Sequence, residues 1–325
     1  MVLEEGFWQG KRVLITGADG FMGSHLTETL LEKGAEITAF ARRADLKTFK
    51  KNREGNLDKA GSRISKFVEV DIGDEKTTGQ IKAEEPEVIF HLAAQAYVPY
   101  SLEQPMDVLR TNLIGTLNVL HAAMNLKQLE RVVCTSSSEV YGTAMMERIN
   151  EQHPLNPASP YAASKAAADR YCYSYWKSYG IPVAVIRPFN TFGPRHTYDV
   201  IPKFIQLALK NEPLTIHGSG EQSRDFTYVS DTVRGFIAMG QHKSAIGKAV
   251  NFGNGRAYTI NETAGLIKKL SGSGSEIVHS ESRAGDVKRL VCDYGLAKKL
   301  FGWKPKVSFE EGLRKNIEWE RQRLA

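Results

Sequence analysis

Short apolar runs alternate with stretches of helical periodicity from Lys11 to about Asn190. Six of these runs are predicted to be buried strands, because each is brief and is bounded by polar or glycine positions. They are RVLIT, AEITAFA, ISKFVEVDI, EVIFHLAA, RVVCTSS and VAVIRPFN. Between the first two, GSHLTETLLEKG has apolar residues at helical spacing and ends on Gly34, a helix stop signal. The alternation predicts an α/β fold, a Rossmann-type doubly wound parallel sheet with helices on both faces.

The pattern changes after Asn190, where helical and strand-like segments become shorter and mixed. IPKFIQLALKN and DTVRGFIAMGQH have helical spacing, PLTIHG and AVNFGN are strand-like, and the run from Phe309 onward is an amphipathic helix. A second, smaller α/β lobe is the economical interpretation for a chain of 325 residues. We assign residues 1–190 to the Rossmann domain and 191–325 to this lobe, across an approximate boundary over which the chain is free to return.

Charge and hydropathy exclude several classes of protein. The 43 basic and 37 acidic residues give a net charge of +6 and are interleaved along the chain, which argues against a nucleic-acid partner. Only Lys47–Arg63 is locally basic, and we interpret it as a solvated loop. No apolar run is long enough to span a membrane. The first residues carry acids where a signal peptide carries bases, so we expect a cytoplasmic protein.

The three cysteines offer no metal or redox motif. Cys134, Cys172 and Cys292 are scattered, odd in number and without C-x-x-C spacing. We expect them to be reduced and buried, and we predict no metal site.

A glycine-rich segment follows the first predicted strand. TGADGFMGSHL places Gly17, Gly20 and Gly23 in a G-x-x-G-x-x-G spacing that also opens the first helix. Glycines there allow a tight turn and a close approach of the backbone to a pyrophosphate, whose charge a helix N-terminus favours. The position after a strand and before a helix favours dinucleotide binding over a simple tight turn.

The end of the second strand bears on the choice of cofactor. An acid usually ends this strand in NAD-binding folds, but here the sequence is AFARRAD, with Arg42 and Arg43 where a 2′-phosphate would need positive charge. NADP is therefore predicted over NAD, although a solvent-facing pair with Asp45 turned inward remains an alternative. Asp71, which ends the third strand, is a candidate for the adenine amino group or for a helix N-cap.

SPYAASKAAADRY is predicted to be helical, and it places Tyr161 and Lys165 four residues apart on one helix face. The lysine ammonium and an oxidised nicotinamide ring would both favour the phenolate and make the tyrosine a general base for an alcohol. Such a pair also occurs on ordinary protein surfaces.

Together these features resemble the extended short-chain dehydrogenase/reductase family, in particular the nucleotide-sugar epimerases and dehydratases. The resemblance covers nearly the whole chain, because seven motifs occur in the family's order: TGADGFMGSHL, HLAAQAYVPYS, TSSSEVYG, SPYAASK, RPFNTFGPR, RDFTYVSD and RAGDVKRLVCD. It implies a nucleotide-diphosphate sugar as substrate.

The same resemblance implies roles for individual residues. Ser137 hydrogen-bonds the sugar O4, Tyr161 is the base, and Lys165 holds the tyrosine and the nicotinamide ribose. The implied cofactor site adds to the residues above Asp19, Phe21, Met22, Ile72, Leu92, Ala93, Ala94 and Asn112. The implied substrate contacts are Ser138, Asn190, Arg224, Arg283 and, more weakly, Asn251.

Glu139 bears on the reaction without settling it, because the UDP-glucuronate decarboxylases of this family also have a Ser-Glu pair. A glutamate here resembles the 4,6-dehydratases, in which oxidation at C4 acidifies the C5 proton, a carboxylate removes that proton, and water leaves from C6. A positioned base is suited to that step. The dTDP-glucose dehydratases have Asp-Glu where this chain has Ser138–Glu139. A 4,6-dehydratase is the leading hypothesis, and a C4 epimerase, a 4-keto-sugar reductase and a UDP-glucuronate decarboxylase are the alternatives.

Two segments, MDVLRTNLIGTLNVLHAAM and AAADRYCYSYWKSYG, are apolar or aromatic over more than one helical face. A helix of that kind needs a second partner, which predicts a homodimer.

Overall fold

The computed structural model describes residues 6–42, 55–57, 60–281 and 287–324. Its largest element is a seven-stranded parallel sheet with the strand order β3-β2-β1-β4-β5-β6-β11. These strands are β1 Arg12–Thr16, β2 Glu36–Ala41, β3 Lys66–Glu69, β4 Val88–His91, β5 Arg131–Thr135, β6 Val183–Pro188 and β11 Ala249–Phe252. The predicted Rossmann-type α/β fold is confirmed.

Helices cover both faces of this sheet. They are α1 Phe21–Glu32, α2 Lys76–Ala83, α3 Val98–Glu103, α4 Pro105–Leu109, α5 Gly115–Ala123, α6 Pro160–Tyr179 and α8 Val229–Gln241. The side chains of β1 alternate between the two layers, as a strand requires. Val13 and Ile15 pack in the core that contains α1 and α8, whereas Leu14 packs in the core that contains α5 and α6.

A smaller lobe follows β6 and has its own apolar core around Phe204, Phe226, Ile267 and Phe309. Its elements are β7 Thr191–Phe192, α7 Val200–Leu209, β8 Leu214–His217, β9 Ser223–Asp225, β10 Thr227–Tyr228, β12 Ala257–Thr259, α9 Ile260–Ser271, β13 Ile277–Ser280 and α11 Phe309–Leu324. Helix α10 Gly295–Phe301 packs instead in the core of the large sheet, where Phe301 stacks on Phe252 of β11. The chain returns to the large sheet between these elements, because β11 pairs with β6.

Three sequence predictions fall wholly or partly outside the described residues: Arg43, Arg283 and most of Lys47–Arg63. Across the described ranges, no helix is both long and apolar enough to cross a membrane. Cys134, Cys172 and Cys292 are buried free thiols. In the same ranges no cluster of His, Cys, Asp and Glu side chains could hold a metal ion.

The strand order sets the position of the site. From β1 the chain moves outward to β2 and β3, then crosses back to β4 and continues on the other side. Such a reversal opens a crevice at the carboxyl ends of the two central strands, where open α/β sheets bind ligands.

Candidate active site

A cavity of about 770 Å³ lies at this edge, between the large sheet and the smaller lobe. Many of the predicted site residues line it: Gly17, Gly20, Phe21, Met22, Gly23, Leu92, Ala94, Ser137, Ser138, Glu139, Tyr161, Lys165, Asn190 and Arg224. The fold thus brings together residues from both predicted halves of the chain.

The glycine turn is constrained by its own backbone. Gly17 has a φ of +69°, and a Cβ there would lie 2.8 Å from the backbone nitrogen of Ala93. A Cβ at Gly23 would lie 2.0 Å from the carbonyl oxygen of Gly17. Side chains are excluded at both positions, so the turn stays narrow and α1 begins directly at the cavity. This geometry fits a dinucleotide pyrophosphate at the helix N-terminus.

Asn112 lies behind the cavity wall instead of in it. It sits in a π-helical turn, Arg110–Ile114, that joins α4 to α5. Its Oδ1 accepts from the backbone nitrogen of Gln95 at 2.8 Å, and its Nδ2 donates to the Ser164 hydroxyl of α6 at 2.9 Å. Asn112 therefore fixes the segment after β4 against the helix that carries Tyr161. Ala93 is held in the same layer by a bond from its backbone nitrogen to Thr16 Oγ1 at 3.1 Å.

The predicted adenine end of the site is at the rim. Asp71 accepts from the backbone nitrogen of Gly73 at 2.9 Å and lies 3.4 Å from Arg110, with its carboxylate half exposed. Ile72 is buried beside Gly115. The carbonyl of Asp19 accepts from Asn56 at 2.9 Å, and Arg42 is exposed just after β2. None of these four residues lines the cavity.

Ser137, Tyr161 and Lys165 are held in fixed positions by local structure. Ser137 precedes a 3₁₀ turn, Ser138–Tyr141, and its hydroxyl accepts from the backbone nitrogen of Glu139 at 3.1 Å. Helix α6 begins with Ser159 as N-cap and Pro160 at its first position, a strong start signal. At the second position of this helix, Tyr161 is hydrogen-bonded to the Ser137 side chain. Lys165 Nζ donates to the carbonyl of Thr135, at the end of β5, at 2.7 Å.

The electrostatics of Tyr161 bear on the predicted phenolate. Burial raises the pKa of Tyr161 to about 12, and the negative charges of Glu139 and Asp199 add to the rise while the Ser137 hydrogen bond opposes it. Burial also lowers the pKa of Lys165 to about 8. Without a ligand the tyrosine is therefore a phenol, and the phenolate depends on the charge of a bound nicotinamide together with Lys165, as expected from the sequence.

The residues predicted to bind the substrate differ in their exposure to the cavity and in their hydrogen bonds. Asn190 lines the cavity, and its Oδ1 is buried without a hydrogen-bond partner in the described parts of the protein. Arg224 is held at the cavity by bonds to the carbonyls of Val287 at 2.5 Å and Ser223 at 3.1 Å. Ser138 is almost completely buried beside Glu139.

The structure corrects the weaker prediction that Asn251 contacts the substrate. Its Oδ1 accepts from the Tyr141 hydroxyl at 2.7 Å, and its Nδ2 donates to the carbonyl of Ile149 at 3.0 Å. The residue is fully buried and does not line the cavity, so its amide is committed to the core and does not reach a diphosphate.

One wall of the cavity was missed by sequence reasoning. We call the segment Gly193–Asp199 the strap, because it leaves β7 in the smaller lobe and contacts α1 of the large sheet. His25 Nε2 lies 3.0 Å from the carbonyl oxygen of Pro194, and Arg195 forms an ion pair with Glu28 at 2.8 Å. The His196 ring is stacked on Phe21 of the glycine turn, with 4.5 Å between centroids.

The strap brings three unpredicted side chains to the cavity, His196, Tyr198 and Asp199. The sequence contained one signal, since the strap begins within RPFNTFGPR, but the motif says nothing of the residues that follow it. Arg195 and Asp199 have φ angles of 72° and 74°, a conformation that non-glycine residues rarely adopt. Such strain is a property of the folded chain and is not visible in the residue types.

The fold, the glycine turn and the Ser–Tyr–Lys arrangement define an enzyme of the short-chain dehydrogenase/reductase class. Residues 14–316 match the family model described as GDP-mannose 4,6 dehydratase. The chain belongs to this family of nucleotide-sugar epimerases and dehydratases, whose members use a nicotinamide dinucleotide. The resemblance inferred from the sequence motifs is thereby confirmed.

Relatives in this family carry out different reactions. UDP-glucuronic acid decarboxylase 1 of Xenopus tropicalis is 39% identical over 97% of this chain and 73% of its own length. The solved UDP-glucose 4-epimerase of Thermotoga maritima, with UDP-glucose, superposes with a TM-score of 0.88 at 31% identity, covering 97% and 100% of the two chains. A dTDP-glucose 4,6-dehydratase of Streptomyces venezuelae, solved with NAD, gives 0.88 at 31% identity and covers 96% and 97%.

Proposed function

We propose that this protein is a nucleotide-sugar 4,6-dehydratase. The observation that carries the proposal is the position of Glu139. Its backbone nitrogen is bonded to Ser137, its side chain lines the same cavity as Tyr161, and its charge acts on the tyrosine. A carboxylate in that place is positioned to take a proton from the sugar carbon next to the one that Ser137 and Tyr161 address.

The roles of the protein groups follow from this arrangement. Ser137 orients the sugar O4 hydroxyl, and Tyr161 accepts its proton while Lys165, anchored on Thr135, keeps a positive charge nearby. The bound nicotinamide supplies a hydride acceptor and donor for the sugar carbons. Glu139 then removes the C5 proton that the C4 carbonyl has made acidic, and the hydroxyl at C6 leaves as water. A positioned general base contributes about 10² to 10⁴ in rate at such a step.

The local charge favours the dehydratase over the decarboxylase, although a decarboxylase is 39% identical to this chain. A uronate substrate carries a carboxylate at C6. Asp199 places negative charge near Tyr161, where it would repel that carboxylate, whereas Glu139 does not discriminate, because UDP-glucuronate decarboxylases have a Ser-Glu pair as well. An epimerase needs no carboxylate at this position, so it leaves Glu139 without a role.

Substrate and cofactor contacts extend this proposal. Asn190 and Arg224 are placed to bind the sugar-nucleotide diphosphate, with Arg283 as a further candidate from the sequence. We propose NADP as the preferred cofactor, because Arg42 and Arg43 replace the acid that favours NAD. Calorimetry on cofactor-stripped protein, with Arg42→Ala/Arg43→Ala as the comparison, tests this preference. Tighter binding of NAD, or a preference unchanged in the double variant, would refute it.

We also propose a homodimer formed by α4, α5 and α6. Met106 and Leu109 are exposed on α4, Met124 is exposed directly after α5, and Tyr171 and Tyr173 are exposed on α6. Exposed apolar side chains grouped on neighbouring helices are expected to be covered by a second copy. Light scattering at micromolar concentration tests it, and a monomer there would contradict it.

The reaction itself is tested by incubation with UDP-, GDP-, CDP- and dTDP-hexoses and by mass spectrometry of the products. Loss of one water without added reductant supports the dehydratase. Unchanged mass with inverted stereochemistry supports the epimerase, loss of carbon dioxide from a uronate supports the decarboxylase, and a need for stoichiometric NADPH supports the 4-keto-sugar reductase.

A further inference from the structure

Two carboxylates from distant parts of the chain line the same cavity. Glu139 enters from the turn after β5, and Asp199 enters from the strap at the start of α7. The negative charges of both carboxylates raise the pKa of Tyr161. The proposed function gives Glu139 a role and leaves Asp199 without one.

The proposed elimination moves two protons, one away from C5 and one onto the oxygen at C6. When the C5–H bond breaks, its electron pair becomes the C5–C6 π bond, and the C6–O pair leaves with the oxygen. The proton from C5 goes to Glu139. The departing oxygen takes up a proton to leave as water, because hydroxide is a poor leaving group at neutral pH, and a second group that donates this proton while Glu139 holds the other lets both bonds break together.

Ser138, the residue next to Glu139, is not suited to supply this proton. A serine hydroxyl is a weak acid that donates hydrogen bonds without losing its proton near neutrality. Ser138 is also only 2% exposed. The acid must therefore come from another element that lines the cavity.

The strap holds an acid–base pair at this point. His196 Nε2 lies 3.3 Å from Asp199 Oδ2. The histidine is only 6% exposed and its ring is fixed by stacking on Phe21, whereas more than half of the Asp199 side chain is accessible. Histidine is the side chain that most readily exchanges a proton near neutral pH.

The other ring nitrogen of His196 indicates a ligand. Nδ1 is buried and lacks a hydrogen-bond partner among the residues that the structure describes. Because the ring lines the cavity, a bound molecule is the partner that could satisfy this atom. Asp199 is held in a left-handed conformation, with a φ of 74°, and strain of this kind is concentrated at functional sites.

We propose that Asp199 is a further catalytic residue: the His196–Asp199 pair enters the step with one shared proton, Asp199 passes this proton to the departing C6 oxygen, and His196 positions the carboxylate. The inference rests on the proposed dehydratase function. It assigns the strap a chemical role and gives the two carboxylates opposite tasks, since Glu139 accepts a proton at C5 and Asp199 donates one at C6.

Asp199→Asn tests this assignment with two substrates. The first is the hexose nucleotide that the unmodified enzyme dehydrates, and the second is its 6-deoxy-6-fluoro analogue, whose fluoride leaves with much less need of an acid. We expect the variant to lose about 10² to 10⁴ in the rate of water elimination, as for a general acid. Fluoride release, followed with an ion-selective electrode, should stay within about threefold of the unmodified enzyme, since it bypasses the protonation step.

A second readout separates the two carboxylates. In deuterium oxide, the first substrate recovered from Asp199→Asn should carry deuterium at C5, because Glu139 still removes that proton. Substrate recovered from Glu139→Gln should carry none. Asp107→Asn is the control, since Asp107 is an exposed aspartate that accepts from Tyr100 at 2.7 Å and does not line the cavity.

The possible outcomes distinguish the role of Asp199 from the proposed dehydratase function. Equal loss with both substrates would mean that Asp199 only shapes the cavity, and water elimination at nearly the normal rate would also overturn the assignment. If the unmodified enzyme released neither water nor fluoride from any hexose nucleotide, the dehydratase proposal itself would fail.

Discussion

The glycine turn and the strap form adjoining walls of one cavity and are held in place in different ways. The turn is defined by backbone atoms of neighbouring residues, with room for no Cβ at Gly17 or Gly23. The strap is held by side chains of α1, which is distant in the sequence. His25 contacts the carbonyl of Pro194, Glu28 pairs with Arg195, and Phe21 stacks on His196. The first wall is therefore strict about residue type and rigid. The second depends on several weak contacts, so it tolerates single changes, and it carries His196, Tyr198 and Asp199 into the cavity.

Tyr161 lines the cavity that both walls enclose, and its loss is expected to have the largest effect. Tyr161→Phe removes the proton acceptor for O4, and kcat should fall by about 10² to 10⁴. Thermal unfolding should change little, because the ring and its packing remain. A variant that kept more than a tenth of the activity would show that Tyr161 is not the base.

Glu139→Gln affects only the step that follows oxidation at C4. We expect a loss of dehydration of about 10² to 10⁴, since the amide cannot accept the C5 proton. Mass spectrometry of the products measures the loss. Dehydration or C4 epimerisation at nearly the normal rate would show that the glutamate is an ordinary turn residue.

Gly23→Ala tests the strictness of the first wall. The added methyl group would lie 2.0 Å from the carbonyl oxygen of Gly17, so the backbone must shift. We expect a loss of about 3 kcal/mol in the free energy of unfolding and strongly weakened dinucleotide binding. Gly265→Ala is the matched control, because this helical glycine in α9 has nothing within 4 Å of the new Cβ. Denaturant unfolding of both variants decides the matter, and equal stability would contradict the steric argument.

His91, at the end of β4, predicts a pH dependence of the first wall. Its ring nitrogens contact the hydroxyls of Thr16 at 2.8 Å and Thr116 at 3.0 Å, and burial, with the nearby charge of Lys165 as a smaller cause, lowers its pKa to about 3. Below pH 6.5 this histidine becomes protonated in the unfolded chain, whereas it stays neutral in the folded chain down to a pH of about 3. Stability should therefore fall as the pH drops, by about 2 kcal/mol between pH 7 and pH 5 from this group. His91→Gln should make that part of the slope disappear, and an unchanged slope would refute the assignment.

The smallest effect is expected at the strap anchor. Glu28→Gln weakens the ion pair with Arg195, which is partly exposed, so the free energy of unfolding should change by less than about 1 kcal/mol. Limited proteolysis within the strap should nevertheless become faster. A loss of several kcal/mol would mean that this wall is as rigid as the glycine turn.

Local patterns in the sequence were sufficient for six of the seven strands of the large sheet and for the first wall. The strand runs, Gly17, Gly20 and Gly23, and the spacing of Tyr161 and Lys165 are short-range features, and β-strand and helix periodicities report them directly. The family resemblance added Ser137, Glu139, Asn190 and Arg224, all of which line the cavity.

Tertiary structure alone decided the rest, because it depends on contacts between residues far apart in the chain. Asn251 is polar and lies in a motif-like segment, yet the return of β11 to the large sheet buries it against Tyr141. Asn112 points into a layer behind the cavity because of a π-helical turn. Tyr161 keeps a high pKa because the fold buries it between two carboxylates. His196 and Asp199 reach the site only because the strap crosses from one lobe to α1, and no spacing along the sequence encodes that crossing.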